Sequence, residues 1–232
     1  MLLSANSVLC IEQLSFPAQS GQGSQSRDFL ILVTSDLLIH TIELKEPGND
    51  DNSGANQIRI LSTLDCKTEM PSSELPKLKR LIMSGMMKDL DGGDILLILF
   101  ENLAYFTVSF GVEEKAAQFP VVESFTKSEL EMDPFRSLIE VVSSPHHLYR
   151  IVQNQPQPDN EDKTHGQVLE IYSLSQDRYD SKELEKHKEM FLPDNFYAAI
   201  GLRGLGAFHG HGAVLVGTEA IIKVNDLSFE MS

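Results

Sequence analysis

Apolar residues in this chain come in short bursts, and the bursts pair up. Three stretches align without gaps: LILVTSDLLIHTIEL (30–44), LLILFENLAYFTVSF (96–110) and AVLVGTEAIIKVNDL (213–227). Each opens with an apolar run, breaks at a polar pair (Ser35-Asp36, Glu101-Asn102 or Thr218-Glu219) and resumes as an alternating run. This pattern predicts three hairpins, each with a first strand buried on both faces and a second buried on one.

Further apolar runs flank the hairpins. SVLCIEQLSF (7–16) and IRILSTLD (58–65) bracket the first, and LKRLIMSGM (78–86) and FPVVESFTK (119–127) bracket the second. A third unit is assembled from FRSLIEVVSS (135–144), HLYRIVQN (147–154), GQVLEIYSL (166–174) and LEKHKEMFL (184–192). A fourth uses NFYAAIGLRGLGAFHG (195–210), AVLVG and AIIKVND, without an outer strand. Four antiparallel strands repeated at roughly 55 to 65 residues is the layout of propeller blades with long inserted loops. The expected fold is all-β and mainly antiparallel, a β-propeller-like single domain or propeller fragment. It has about four blades, over roughly 7–65, 77–127, 135–192 and 196–232, the last incomplete. Two places have room for short inserted helices. SKELEKHKEM (181–190), with Asp180 and Glu183 as a capping box, reads equally as helix or outer strand, and KSELEMDPF (127–135) reads as a helix stopped by Pro134.

AVLVGTEAIIKVNDLSF resembles the middle of a WD-repeat blade, where a Val-Leu-Val-Gly strand turns into an Ile-Lys-Val-x-Asp strand. The family's Gly-His and Trp-Asp dipeptides are absent. Asn225-Asp226 stands where Trp-Asp is expected, His209-Gly210 reverses the other pair, and the chain has no tryptophan. The resemblance extends to three or four degenerate blades and implies a propeller.

Between the units lie PAQSGQGSQSRD (17–28), KEPGNDDNSGANQ (45–57) and NQPQPDNEDKTHG (154–166), polar stretches too poor in apolar residues to fold alone and expected to be mobile. The last two cluster acid, which suits a basic partner. With 34 acidic against 19 basic residues and a formal charge of -15, the chain repels a phosphate backbone, so no direct nucleic-acid binding is expected. The densest basic stretch, KLKRLIMSGMMK (77–88), lacks the interleaved aromatics of a base-stacking platform. The apolar runs are too short to cross a bilayer, so no membrane insertion is expected. Two cysteines, Cys10 and Cys66, and the lack of a secretory signal or an Asn-x-Ser/Thr acceptor point to the cytoplasm or nucleus, with both thiols expected to be buried.

GLRGLGAFHGHG (201–212) is the stretch closest to a cofactor loop. Its glycines miss the third position of the dinucleotide fingerprint, Ala207-Phe208 replaces the Lys-Ser/Thr of a phosphate loop, and a strand rather than a helix follows. It reads instead as an inner strand and turn, with glycines where backbones approach closely. His209 and His211, two apart, point to one face of a strand and read first as ordinary strand or turn histidines; they could share a metal only with a further ligand, for which His40, His146, His147 and the carboxylates are unplaced candidates. KDLDGGD (88–94) is a shortened acidic loop that reads as a glycine turn. No nucleophile elbow, Cys-x-x-Cys or His-Glu-x-x-His occurs. These readings assign no catalytic, cofactor or metal residue and no cofactor. They point to a non-enzymatic scaffold or adaptor that binds other proteins through acidic loops or open blade edges within a complex. The alternative is a metal-dependent hydrolase or small-ligand binder using His209 and His211.

Overall fold

A computed structural model describes residues 8–16, 27–45, 57–70, 80–88, 93–112, 120–155, 166–176, 182–193, 195–202 and 211–226. The described chain is all-β. The first sheet takes β1 (Val8–Phe16), β2 (Arg27–Thr34), β3 (Leu38–Lys45) and β4 (Gln57–Asp65), and the second β5 (Leu81–Lys88), β6 (Asp94–Phe100), β7 (Ala104–Val112) and β8 (Pro120–Glu129). The third takes β9 (Arg136–Ser143), β10 (His147–Asn154), β11 (Gln167–Gln176) and β12 (Lys182–Phe191), and the fourth β13 (Phe196–Leu202), β14 (Gly212–Gly217) and β15 (Ile221–Asn225). In all four antiparallel sheets, strands that follow one another in sequence are neighbours in space.

The polar breaks fall in the hairpin turns. Leu37 donates to the Thr34 carbonyl at 2.9 Å and Leu103 to the Phe100 carbonyl at 2.8 Å, closing three-residue loops whose last residue is left-handed, with φ of 64° and 66°. A leucine in that conformation costs about 1–2 kcal/mol; burial of the Leu103 side chain in the core offsets the cost. The third hairpin differs despite its gapless alignment. Gly217 donates to the Ala220 carbonyl at 2.8 Å around the two residues Thr218-Glu219, and Val216 faces Ile221. The corresponding Val33 faces Ile39, one position further along. That slip exchanges the two faces of the second strand and leaves Ile221 73% exposed.

The middle strands correct the expectation of one-sided burial. In β3, residues 39–42 are all buried, and so are residues 104–108 of β7. Two of their polar positions are satisfied from other strands: His40 Nδ1 lies 2.8 Å from the Thr63 hydroxyl, and the Thr107 hydroxyl donates to the Lys182 carbonyl at 2.8 Å. A polar residue in these strands therefore does not mark a solvent face.

Neither helix candidate is a helix. Residues 182–191 form β12, because β11 offers a backbone ladder from Val168↔Phe191 to Gln176↔Lys182, and tertiary pairing outweighs helix propensity. The exposed Lys and Glu of β12 suit an outer strand, where charge discourages further pairing. Residues 127–129 complete β8, Leu130 enters the core and donates to the Leu103 carbonyl at 2.9 Å, and Asp133-Pro134 makes a turn in which the Asp133 carboxylate accepts from the Phe135 amide at 2.9 Å.

The chain forms two compact units, residues 1–79 with 108–125 and residues 80–107 with 126–232. In the first, Leu14, Phe29, Ile31, Val33 and Ile39 are buried. Cys66 is buried as expected, whereas Cys10 on the outer strand β1 is half-buried, which corrects the expectation for that thiol. Burial, with help from the neighbouring Asp65 charge, pushes the Cys66 thiol up to about 12. Iodoacetamide at pH 8 is expected to label Cys10 in the native protein and Cys66 only after denaturation, as read by peptide mass spectrometry.

In the second unit two apolar clusters lie on opposite faces of the third sheet. Leu148 and Leu174 pack with Leu97, Leu99, Tyr105 and Val141, while Tyr149, Ile151, Leu169 and Ile171 pack with Phe196 and Leu215. Each such side chain contributes about 1.5–3 kcal/mol of burial. The first strands β5, β9 and β13 lie side by side. Lys88 at the end of β5 donates its amide to the Pro145 carbonyl beyond β9, and β13 runs against β9. A Cβ on Gly201 would overlap the Ser143 carbonyl oxygen, so only glycine allows that approach. Gly212, with φ +142°, is the second such position, its missing Cβ making room for the Val224 carbonyl. Close backbone approach therefore accounts for both described ends of the glycine-rich stretch. Residues 203–210, the acidic turn residues 89–92 and most of the three polar loops lie outside the described residues.

Candidate functional site

The described histidines among those singled out by the sequence are not gathered into one cluster. His209 lies outside the described residues. His211 sits edge-on to His146, with ring centroids 5.4 Å apart, while His147 pairs with a different group. Among the described residues no three His, Cys, Asp or Glu side chains are placed to hold a metal ion.

What does gather there is a knot around Asp226, the residue following β15. Its carboxylate is 5% exposed and accepts from the Ser144 hydroxyl at 3.0 and 2.8 Å and from the Tyr149 hydroxyl. The Nδ1 atom of His147 lies 3.2 Å from the same carboxylate. Burial alone pushes this carboxyl up, but the donors gathered on it, His147, Tyr149 and Ser144, outweigh burial and hold it below its ordinary value. A serine, a histidine and an aspartate meet here, but in the wrong order for nucleophilic catalysis. The Ser144 hydroxyl gives its proton to the carboxylate, and its oxygen accepts the backbone amide of His147 at 3.0 Å. The knot ties the end of β15 to the turn between β9 and β10.

A second polar assembly is centred on the middle strands of the third sheet. Arg150 and Glu170 face each other across β10 and β11, each 2% exposed, with Arg150 Nε donating to Glu170 Oε2 at 2.6 Å. Arg150 Nη2 also donates to the Glu131 carbonyl at 2.9 Å and to the Tyr172 hydroxyl, which in turn donates to Glu170 at 3.1 Å. Glu170 stands opposite Glu189 in β12, and that like-charge pairing is bridged by Arg136, which reaches Glu170 at 2.7 Å and Glu189 at 2.8 Å, with Lys186 3.0 Å from Glu189. The hydrogen bonds from Arg136, opposed by partial burial and aided by Lys186, hold the Glu189 carboxyl at about 2 rather than 4.5. A depressed carboxyl contributes its stability above its unfolded value. That contribution should be complete above about pH 4.5 and lost as pH falls toward 2. Thermal midpoints taken from pH 6 to 2 check this, and Glu189→Gln is expected to flatten that part of the profile.

The assembly floors a pocket of about 1140 Å³ whose walls add Glu129, Glu131, Asp133 and Glu185. Six carboxylates against three cations among its described lining residues give it an acidic field.

Of these groups the sequence singled out only His147 as a candidate ligand, but three others left a mark in it. Arg150 and Glu170 are opposite charges at the centres of two otherwise apolar runs, HLYRIVQN and GQVLEIYSL, and charges so placed need each other. Asp226 occupied the Trp-Asp position of the WD-like segment. A third feature is an edge: β15 is the outermost strand of its sheet among the described residues. No known family model matches the chain, and no curated protein is significantly similar to it.

Proposed function

We propose that the chain is a β-propeller-like scaffold, a non-catalytic subunit that holds other proteins in a complex. The observation that carries this reading is the side-by-side placement of β5, β9 and β13, the first strands of three successive sheets, with the charged β12 outermost in its own sheet. That is how blades stand around an axis. The described polar groups favour the same reading, since Asp226, Arg150 and Glu170 are engaged in joining strands to one another. The proposed partners are other proteins, engaged through the acidic loops and through strand edges, with the cytoplasm or nucleus as the proposed setting. Affinity isolation of the endogenous protein after mild crosslinking tests the proposal: co-purifying chains in near-equal amount are expected. A protein recovered alone, monomeric and fully folded, would overturn it.

A further inference from the structure

β15 carries a backbone edge that is built to receive one more strand. Gly217 donates to the Ala220 carbonyl, and Asp226 donates to the His211 carbonyl at 3.3 Å, so residues 220 and 226 turn their backbone groups toward β14. In an antiparallel ladder that role alternates. Ile222 and Val224 therefore bond to β14, while the amides and carbonyls of Ile221, Lys223 and Asn225 point away from it. No described strand lies on that side, although each of the three preceding sheets has a fourth strand at this position. The outer edge of the third sheet is differently equipped: β12 bristles with Lys and Glu, whereas β15 carries one charged residue, Lys223, beside an Ile221 that is 73% exposed.

We propose that this edge binds an extended segment of a separate polypeptide by antiparallel strand addition, the segment placing an acidic side chain beside Lys223 and an apolar one beside Ile221. A second copy of the chain fits less well, because in-register pairing along the whole of β15 sets Lys223 against Lys223. Backbone hydrogen bonds supply the affinity and the two side-chain positions supply the choice of partner. The inference rests on the scaffold reading and names one surface through which the scaffold works.

The test uses the full chain and an acetylated, amidated, fluorescent peptide, Thr-Val-Glu-Thr-Ile, in which Glu faces Lys223 and Ile faces Ile221 in antiparallel pairing, followed by anisotropy. Saturable binding is expected. It should be abolished by N-methylating alternate peptide amides and weakened about two- to fivefold when the peptide's Glu is replaced by Lys. Lys223→Glu should reverse that preference. Lys223→Pro should remove binding, because it deletes an outward amide and adds a ring on the open side while leaving the β14 ladder intact. A thermal melt verifies that each variant folds, and the charge reversal serves if the proline variant does not. Absence of binding, or equal binding of the N-methylated peptide, overturns the proposal. Affinity isolation with Lys223→Glu separates the two ideas. Partners kept by both wild type and variant sink the edge and leave the scaffold standing, whereas partners absent from both sink the scaffold itself.

Discussion

Replacing Glu170 by alanine is expected to lower the stability of the unit formed by residues 80–107 and 126–232 by about 3–5 kcal/mol, read as a fall in the urea midpoint without a change in slope. The cause is the stranded partner rather than the lost contact. Arg150 is 2% exposed and lies in the middle of β10, with apolar Tyr149 and Ile151 on either side. Without Glu170 its guanidinium keeps only the Glu131 carbonyl and the Tyr172 hydroxyl, neither of which carries a charge to balance it. Arg136 is less affected because it retains Glu189. The paired replacement Arg150→Met with Glu170→Leu should recover most of the loss, since a well-packed apolar pair is often no worse than a buried ion pair. A double variant as unstable as Glu170→Ala would show that the ions hold the strand register in a way apolar packing cannot.

Asp226→Ala is expected to cost about 2–4 kcal/mol, because it removes the acceptor of the buried Tyr149 hydroxyl and leaves the Ser144 hydroxyl only its longer bond to the His147 carbonyl at 3.3 Å. The hydroxyl of Tyr149 and that of Ser144 both belong to side chains no more than 1% exposed, and both end on this carboxylate. In a Tyr149→Phe background the same substitution should cost less, and the difference, obtained from a double-mutant cycle, isolates the coupling. The damage should concentrate in β15, whose end the carboxylate fixes, so amide exchange at Ile222 and Val224 should accelerate more than at β10. Because the Asp226 carboxyl is held below its ordinary value, its contribution is present near neutrality and lost in acid, the same sign as for Glu189.

The strands were legible in the sequence because hairpins leave a local signature: paired apolar runs around a polar break. The three aligned segments fall on β2–β3, β6–β7 and β14–β15, and the degenerate third unit on β9 to β12. What the sequence concealed depended on partners distant along the chain. β12 carries a helix-like composition and becomes a strand because β11 lies beside it. The one-residue slip at Thr218-Glu219 is invisible in a gapless alignment, because the shorter loop and the shifted register cancel in residue count. The sites were less legible than the fold. The glycines and histidines of 201–212 drew attention as possible ligands, and Gly201 and Gly212 turn out to be sites of close backbone packing. The groups with the most connected chemistry, Arg150, Glu170 and Asp226, were single residues in unremarkable runs, and their significance comes from what they face.

The sequential order of strands within each sheet also bears on how the protein acquires its structure. Because each strand pairs with the one just made, a sheet can assemble as its residues leave the ribosome, with only the twelve residues between β10 and β11 forming a long connection in the third sheet. Loop-closure entropy grows slowly with length, and such local pairing favours rapid folding. Each sheet should therefore nucleate on its own hairpin, and pulse-labelled exchange should protect β10 and β11 later than β6 and β7, which are joined by three residues.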